Sequence, residues 1–446
     1  MDDRTKQYAE TLAGMIRLNT VSYRDPERAA DRSRFQTFQL LLADSFPRLF
    51  GACGILPFGG GIALHWHGAG QGRPVLFMNH HDVVEAAGEW THAPFSGDLS
   101  DGKIWGRGTL DDKGGLWAML QAGEELAAEG FVPARDIWFF SSCTEETTGE
   151  GAREMAAWFR KEGICFEMSF DEGGMILPEP IAGAKGTFAM IGVGEKGCAD
   201  LKFIARSEGG HASSPGKNTP LVRLGKFMAA VEKTKLFDAQ ISPTVCEMLR
   251  RLGPSMGGLA PLLKKPERIE SLLKRVLPAL SGEAKALTQT TLAFTMSQGS
   301  GGTNVLPQEA WVIGNMRFSH HQGQAASFAA VRALAAKYGV EMEILDPGFS
   351  SRIADYNGTA FKLVERALGE VFPEVKAVPY LMTGASDSRF FDAVCGQCIR
   401  FLPFTISHAQ MASIHGTDEC LDLDTLVPAV EYYKVLIREA SNGREE

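Results

Sequence analysis

Apolar strand-like segments and helix-like segments alternate along the first 195 residues of the chain. Residues 73–84, RPVLFMNHHDVV, form a nearly continuous apolar run of the kind that a buried strand shows. Residues 114–130 place apolar side chains at helical spacing and end on a glycine, which predicts a helix. Two further apolar runs, 135–143 and 164–170, lie on either side of a second helix-like segment. Strands that alternate with helices predict an α/β unit with a mostly parallel sheet flanked by helices.

The pattern changes near Lys196, where a strand, a helix, two strands, a helix and a final strand follow one another. This order is typical of a small ferredoxin-like α+β sandwich. Residues near 241–290 interrupt it with proline, leucine and lysine, which predicts an added helical elaboration. We therefore expect an α/β domain that is divided into residues 1–195 and 349–446, with an inserted domain at residues 196–348.

Composition limits the class of protein. At 446 residues the chain is longer than a single core usually grows, which agrees with two domains. Its formal net charge of -9 argues against a general affinity for nucleic acid, which requires clustered Lys and Arg. No stretch reaches the roughly 20 apolar residues that span a bilayer, and the N-terminal residues do not resemble a signal peptide. The eight cysteines are scattered, so we expect reduced thiols and a cytoplasmic protein without membrane attachment.

Polar side chains with metal-binding potential follow three of the predicted strands. His80 and Asp82 end the first strand, and the alternation of a strand places both on one face. Glu145 and Glu146 follow the second strand, and Asp171 ends the third. Because open α/β sheets bind ligands at the carboxyl ends of their strands, we expect these side chains to converge. Each alone also fits a packed histidine or a solvated acidic loop, but together they indicate one shared site.

Two further segments supply the same kinds of side chain. Residues 106–114, GRGTLDDKG, offer Asp111 before a predicted helix, and residues 414–419, IHGTDE, offer His415. The first segment is not a dinucleotide-binding loop, because Asp111 occupies the position of its third glycine. Two histidines with several carboxylates suit a pair of zinc-like ions, and the lack of thiolates argues against a structural zinc site.

The order of these motifs resembles one enzyme family over nearly the whole chain. The segments HHDVV, GRGTLDDKG, TEE, FDEGG, GGHASSP, NVLP and IHGTDE follow the order of the co-catalytic zinc peptidases, which include glutamate carboxypeptidase, carnosinase, aminoacylase and succinyl-diaminopimelate desuccinylase. The segments IWGRGTLDDKG, MTGASDSRFF and SIHGTDE are most similar to the branch of carboxypeptidase S and the N-acyl amino acid hydrolases. The resemblance implies a catalytic α/β domain with an inserted lid. It also implies cleavage of an amide bond next to a free carboxylate in a small peptide or an N-acyl amino acid.

The resemblance implies a role for each residue that matches a motif. Asp82 would orient the ring of His80, and Glu145 would be the general base for a water that is activated between two divalent ions. A cis peptide bond is implied after the bridging carboxylate. The family most often uses Zn²⁺, and the same ligands accept Co²⁺ or Mn²⁺. The implied metal ligands are His80 and Asp171 for one ion, Glu146 and His415 for the other, and Asp111 for both.

The inserted lid would supply most of the substrate contacts. By resemblance, His211 polarises the scissile carbonyl, from its own or from a partner subunit. Asn304 and Arg317 match residues that contact substrate, and Arg317 is suited to bind a terminal carboxylate through two parallel hydrogen bonds. Gly384 lies in the loop that faces the substrate. The family also implies a homodimer that forms through the lid.

Other functions are left open by the sequence. Residues 253–257, GPSMG, match the GxSxG pattern of a serine hydrolase with Ser255 as the nucleophile, although the preceding segment is helix-like rather than a strand. A non-catalytic binding or scaffold protein is a second alternative, because a fold does not fix a function. The choice between a dipeptidase, a carboxypeptidase and an N-acyl amino acid hydrolase stays open. The remaining histidines are expected on the surface or in packing: His65, His67, His92, His320, His321 and His408.

Overall fold

The computed structural model describes residues 2–442; residue 1 and residues 443–446, at the outer ends of the predicted α/β domain, lie outside the described part. The helices are α1 (Asp3–Arg17), α2 (Pro26–Ala30), α3 (Ser33–Ser45), α4 (Pro47–Ala52), α5 (Lys113–Ala128), α6 (Glu150–Lys161), α7 (Pro220–Lys233), α8 (Pro243–Leu252), α9 (Ala260–Leu263), α10 (Glu270–Leu280), α11 (Gly282–Thr288), α12 (Gly323–Lys337), α13 (Thr359–Val371), α14 (His408–Ser413) and α15 (Leu426–Asn442). The strands are β1 (Cys53–Phe58), β2 (Gly61–Trp66), β3 (Val75–His80), β4 (Asp98–Ser100), β5 (Lys103–Trp105), β6 (Ile137–Ser142), β7 (Met168–Pro178), β8 (Thr187–Glu195), β9 (Gly197–Arg206), β10 (Gly210–His211), β11 (Thr291–Gln298), β12 (Val305–Leu306), β13 (Glu309–Phe318), β14 (Glu341–Asp346), β15 (Lys376–Met382), β16 (Cys398–Thr405) and β17 (Cys420–Asp422).

Eight strands form one mixed sheet in the order β1-β2-β6-β3-β7-β16-β8-β15. The central strands β6, β3, β7 and β16 run parallel to one another, whereas β1, β2 and β6 pair antiparallel. Every residue of β3 is buried, as expected for a strand that is covered on both faces. The predicted α/β class, with a mostly parallel mixed sheet flanked by helices, is confirmed.

Helices cover both faces of this sheet because successive strand residues point to opposite sides. On one face, Phe77 and Phe139 belong to a core that is shared with α1, α5, α13 and α15. On the other face, Met78 and Phe140 pack together with α6. The carboxyl ends of β3 and β6 therefore meet at one edge of the sheet, between the two helical layers, whereas the neighbouring β7 continues to Pro178.

The chain between β8 and β15 builds a second sheet. Strands β9, β11, β13 and β14 pair antiparallel in the order β11-β13-β9-β14. Helices α7 and α12 pack on one face of it through Phe227, Phe328 and Val331. The chain order β-α-β-β-α-β with this strand order is ferredoxin-like, so the predicted inserted α+β lid is confirmed.

Helices α8 to α11 lie between α7 and β11 in the chain, but they pack elsewhere. Val245 and Met248 of α8 are buried in the core of the large sheet rather than in the core of the lid. Arg251 of α8 donates a hydrogen bond of 3.1 Å to the backbone oxygen of Ala377 in β15. This helical segment thus extends the large-sheet unit. Across the described part of the chain, no helix is long and apolar enough to cross a membrane.

Candidate metal centre

The site begins at the carboxyl end of β3, where His80 is almost completely buried. Its Nδ1 lies 2.9 Å from the backbone oxygen of Asp82, and its Nε2 lies 3.0 Å from Oδ1 of Asp111. The contact with Asp82 fixes the orientation of the ring and leaves Nε2 directed at Asp111. This is the arrangement that fixes the tautomer of a metal-binding histidine.

Asp111 lies between two histidines. Its second oxygen, Oδ2, is 3.0 Å from Nε2 of His415, and the same nitrogen is 3.1 Å from Oε2 of Glu146. Ligand atoms of His80, Asp111 and Glu146 all lie within 4.8 Å of one another. The structure therefore brings together four of the five predicted metal ligands, although they are widely separated in the sequence.

The loop that carries Asp111 needs glycines to approach β3 closely. A Cβ atom at Gly115, in the first turn of α5, would lie 2.2 Å from Oδ1 of Asp112 and 2.6 Å from Oδ1 of Asn79. The peptide bond between Asp111 and Asp112 is cis, as the family resemblance implied. Asp112 is fully buried, and its Oδ2 accepts a hydrogen bond of 3.3 Å from the backbone N–H of His80.

Asp82 holds the loop after β6 in place. Its carboxylate accepts hydrogen bonds from the backbone N–H groups of Glu145 (3.2 Å) and Glu146 (3.1 Å), and from the hydroxyl of Ser22 (2.7 Å). The same carboxylate lies 3.5 Å from Nδ1 of His80. Asp82 thus links one predicted metal ligand to the two adjacent glutamates.

The fifth predicted ligand, Asp171, lies on β7 next to β3. Its Oδ2 accepts a hydrogen bond of 2.8 Å from the backbone N–H of Ser388. β3 and β7 are neighbouring parallel strands, with Phe77 opposite Phe170. Asp171 is one residue beyond that register pair, close to the level of His80. The prediction that Asp171 ends the third strand is wrong, because β7 continues to Pro178.

The position of Asp171 depends on a buried ion pair behind it. Arg400 of β16 and Glu195 of β8 form this pair, and their side chains are 0% and 1% exposed. Glu195 also accepts hydrogen bonds from the backbone N–H and the hydroxyl of Ser386, at 2.9 and 2.8 Å, and from the hydroxyl of Ser388 at 3.2 Å. This pair could not be predicted from the sequence, because no local motif distinguishes either residue.

A second buried ion pair organises the loop of Asp111 and was also missed. Glu419 accepts hydrogen bonds from the backbone N–H groups of residues 108, 110 and 111, at 3.1, 2.8 and 3.2 Å, and forms an ion pair of 2.6 Å with Arg107. Glu419 was visible as the last residue of the IHGTDE motif, but the motif did not show what it contacts. Its carboxylate connects the Asp111 loop to the segment that carries His415.

Replacing Glu419 by glutamine is expected to weaken metal binding by about 10- to 100-fold, as loss of groups that hold metal ligands usually does. The amide keeps the size of the side chain but removes the charge that pairs with Arg107 and cannot accept all the hydrogen bonds. Competition with a chromogenic chelator would measure the affinity, with the exposed Glu154→Gln as the matched control. Unchanged affinity in Glu419→Gln would contradict this positioning role.

Crowded carboxylates around two histidines shift the pKa values of the side chains in this cluster. Hydrogen bonds to Asp111 and Glu146 raise the pKa of His415 to about 10. Burial, followed by the charge of Asp111, raises the pKa of Glu146 to about 7. Burial alone would lower the pKa of His80, but its contacts with Asp111 and Asp82 outweigh burial and raise it. Excess negative charge of this kind is what divalent cations neutralise.

The donor set fits divalent metal ions. It consists of imidazole nitrogens and carboxylate oxygens, which suit zinc and similar ions. One oxygen of Glu146, Oε1, is buried and has no hydrogen-bond partner in the described residues. His415 adopts a left-handed backbone conformation with φ of 60°, which costs a non-glycine residue roughly 1–2 kcal/mol. A strained residue that directs a histidine at a cluster of carboxylates indicates a functional constraint.

The predicted substrate-contacting residues do not take part in the contacts that join these metal ligands. His211 is exposed on β10, which pairs with β12, and the backbone oxygen of Asn304 accepts a hydrogen bond from Ala212. Arg317 is on β13 of the lid, and Gly384 is exposed in the loop after β15. Among the described residues, no hydrogen bond joins the side chain of His211, Asn304 or Arg317 to the metal-ligand cluster.

The surroundings of Ser255 do not match a serine hydrolase. Ser255 ends a short 3-10 turn that directly follows helix α8. The nucleophile of a GxSxG motif instead sits in a sharp turn between a strand and a helix. The match to GxSxG therefore lacks the structural context that its chemistry requires.

Comparison with known proteins gives the class. The model of peptidase family M20/M25/M40 matches residues 76–439. The chain therefore belongs to this family of metallopeptidases and amidohydrolases, and it is a hydrolase, as the motifs had indicated.

Two curated relatives cover most of the chain. The human N-fatty-acyl-amino acid synthase/hydrolase PM20D1 is 32% identical over 84% of this chain and 75% of the relative. The probable carboxypeptidase S-like 2 of Dictyostelium discoideum is 28% identical over 97% of this chain and 85% of the relative. Both belong to the branch that the motifs resemble.

Solved structures share the fold over the whole chain. The M20 family metallo-carboxypeptidase Sso-CP2 from Sulfolobus solfataricus superimposes with a TM-score of 0.74 at 16% identity, covering 99% of this chain and 100% of that one. Human carnosine dipeptidase 1 gives a TM-score of 0.71 at 15% identity, with 98% and 97% covered. The YXEP protein of Bacillus subtilis, described as a dinuclear metal binding peptidase from the M20 family, gives 0.57 at 14% identity, with 97% and 98% covered. The family thus includes dinuclear metal sites.

Proposed function

We propose that this hydrolase cleaves the amide bond of N-acyl amino acids, with small peptides that end in a free carboxylate as the second substrate class. The observation that carries the proposal is the contact of Asp111 with both His80 and His415. A carboxylate between two histidines is what a ligand shared by two ions requires. The names of the relatives, a fatty-acyl-amino acid hydrolase and a carboxypeptidase S-like protein, support these two substrate classes.

Two divalent cations fit the cluster, and we take Zn²⁺ as the native ion, with Co²⁺ and Mn²⁺ accepted by the same donors. When bound, such ions supply Lewis-acid activation of water and of the substrate carbonyl. Asp82 would keep the ring of His80 oriented through the contact that it makes in the present structure. We assign His80 and Asp171 to one ion, Glu146 and His415 to the other, and Asp111 to both.

Glu145 is the residue that we assign as general base. Its backbone is held by Asp82, and its carboxylate makes no hydrogen bond to another described residue. Burial raises the pKa of Glu145 well above its ordinary value; the charge of His80 opposes this, and Asp387, Glu146 and Asp111 add to it. A carboxylate of raised pKa takes a proton from water more readily and can return it to the leaving nitrogen.

Arg317 is our candidate for the substrate carboxylate. Its Nε donates a hydrogen bond of 3.0 Å to Oδ1 of Asn315, while its Nη1 is buried without a partner in the described residues. Burial and the nearby charge of Arg317 lower the pKa of Lys196 to about 7. A partly buried guanidinium whose Nη1 has no partner in the described residues, beside a second basic group, is suited to bind an anion.

Replacing Arg317 by lysine is expected to lower kcat/KM by about 10- to 100-fold, mainly through KM. This corresponds to the roughly 1.5–3 kcal/mol of a hydrogen bond to a charged group, and lysine cannot form the two parallel bonds. The loss should disappear with a substrate whose carboxylate is converted to an amide. The exposed lid residue Arg332, changed to lysine, is the matched control. An equal loss on both substrates would remove Arg317 from carboxylate recognition.

Chelation is expected to abolish hydrolysis almost completely, and Zn²⁺, Co²⁺ or Mn²⁺ should restore it. The assay compares fatty-acyl and short-acyl amino acids with dipeptides, before and after dialysis against EDTA. Activity that survives chelation but is lost to a serine-directed phosphonate would overturn the proposal in favour of Ser255. No hydrolysis of any substrate by the metal-loaded protein would favour a binding or scaffold role.

The inserted lid supplies the remaining substrate contacts in this proposal. We assign residues 196–348 to an inserted lid and dimerisation domain, whose helical elaboration near 241–290 packs against the large sheet, and residues 1–195 and 349–446 to the catalytic domain. His211 would polarise the scissile carbonyl, and Asn304 and Gly384 would contact substrate, when the lid closes over the cleft.

We infer a homodimer that forms through the lid. We also infer a reducing, cytoplasmic compartment, because all eight cysteines are free thiols.

A further inference from the structure

A second cluster of metal-ligating side chains lies on strand β2 and just before strand β6. His65 and His67 alternate along β2 and its continuation, and Asp136 directly precedes β6. Ligand atoms of these three residues lie within 4.8 Å of one another. Nε2 of His65 is 2.7 Å from Oδ2 of Asp136, and the rings of the two histidines are 4.0 Å apart between centroids.

The strand register explains why these side chains meet. β2 and β6 pair antiparallel with His65 opposite Trp138, so the next position on the same face places His67 opposite Asp136. This register requires no motif in one continuous segment. The pairing of β2 with β6 brings the two histidines of an H-x-H segment and an aspartate of the neighbouring strand onto one face of the sheet.

This cluster is remote from the candidate metal centre. In the parallel pairing of β3 with β6, Val75 lies opposite Ile137 and His80 lies opposite Ser142. Asp136 therefore lies at the amino end of β6, whereas the candidate metal centre lies at the carboxyl ends of the strands. At about 3.3 Å per residue, the length of β6 separates the two by roughly 20 Å. No residue of the candidate centre takes part in this cluster.

We propose that His65, His67 and Asp136 form a further binding site for one zinc-like divalent cation. Two imidazoles and one carboxylate are a common three-residue ligand set for Zn²⁺, with a fourth position left for solvent. Zinc lies about 2.0–2.2 Å from such ligand atoms, so the side chains must close by a small distance. His67 is exposed and free to make that adjustment.

Contacts with neighbouring residues fix the positions of the other two proposed ligands, His65 and Asp136. His65 stacks on Trp138 with ring centroids 4.1 Å apart and an angle of 10° between the planes, which fixes its imidazole. Asp136 is anchored by the backbone N–H of Gly68, which donates to its Oδ1 at 2.8 Å. Burial lowers the pKa of His65, which favours the neutral imidazole that a metal ion requires. His65 and Asp136 remain reachable, with side chains 20% and 37% exposed.

Metal counting tests the proposal in the full, untagged protein. The protein is equilibrated with Zn²⁺ by dialysis and the bound zinc is measured by mass spectrometry. His67→Ala and Asp136→Asn are each expected to bind one equivalent less than the unchanged protein, while their hydrolytic activity stays the same. Exposed His321 in the lid, changed to alanine, is the matched control and should lose no zinc.

A second measurement separates this site from the proposed catalytic ions. A cation that joins β2 to β6 stabilises the folded state, so adding Zn²⁺ to protein already loaded at the catalytic centre should raise the Tm. That rise should vanish in His67→Ala. Equal zinc content and an equal rise in Tm for the unchanged protein and both variants would overturn the proposal, leaving a hydrogen-bonded His65–Asp136 pair. Zinc content and Tm test this site whether or not the proposed hydrolytic function is correct.

Discussion

Glu145→Gln is expected to lower kcat by at least about two orders of magnitude, the smaller end of what general bases contribute, while both catalytic ions stay bound. The amide has nearly the size of the carboxylate but cannot accept a proton from water. Glu145 is not among the assigned metal ligands, so the contacts among His80, Asp111, Glu146 and His415 should remain. The measurement is steady-state turnover together with zinc content.

The structure supplies controls that separate proton transfer from packing. Glu145→Asp keeps a carboxylate but draws it back, and it should retain more activity than the glutamine variant. Glu154→Gln changes an exposed glutamate of the following helix α6 and should have no effect. A Glu145→Gln enzyme with near-normal turnover, or one that has lost an ion, would show that Glu145 does not act as proposed.

The part of the site that follows strand ends could be predicted from the sequence. β6, β3 and β7 are neighbours in the sheet, and Glu145 and His80 lie at or just after the carboxyl ends of β6 and β3, whereas Asp171 lies near the start of β7. Parallel strands that are joined by helices must direct those ends to one edge. The pattern of apolar runs therefore predicts that His80 and Glu145 converge, but it does not predict where β7 ends.

The residues that hold this edge in place could not be predicted in the same way. Arg107 and Glu419 are 312 positions apart, and Arg400 and Glu195 are 205 positions apart. Arg107 and Glu419 lie in motifs that do not show what they contact, and Arg400 and Glu195 lie in no motif. Only tertiary packing shows that they are buried, and a buried charge is stable only when it is paired. The sequence pattern likewise predicted that α8 is a helix, but it did not predict that α8 packs beside β15.

Arg400→Met is expected to lower the free energy of unfolding by about 3–5 kcal/mol, because removing one partner of a buried ion pair leaves the other charge uncompensated. Glu195 would keep its hydrogen bonds from Ser386 and Ser388 but lose its only cationic partner among the described residues. Urea denaturation would measure the loss. The exposed Arg366–Glu439 pair, 3.6 Å apart, offers a matched control, and Arg366→Met should cost at most about 1 kcal/mol.

The double variant Arg400→Met/Glu195→Gln decides whether the charge or the packing causes the loss. If the stranded carboxylate is responsible, neutralising Glu195 should recover part of the stability, and the two single losses should not add. Because the N–H of Ser388 binds Asp171 while its hydroxyl binds Glu195, Arg400→Met should also weaken metal binding. A loss below about 1 kcal/mol, or strict additivity of the two changes, would mean that this pair does not stabilise the metal-binding edge.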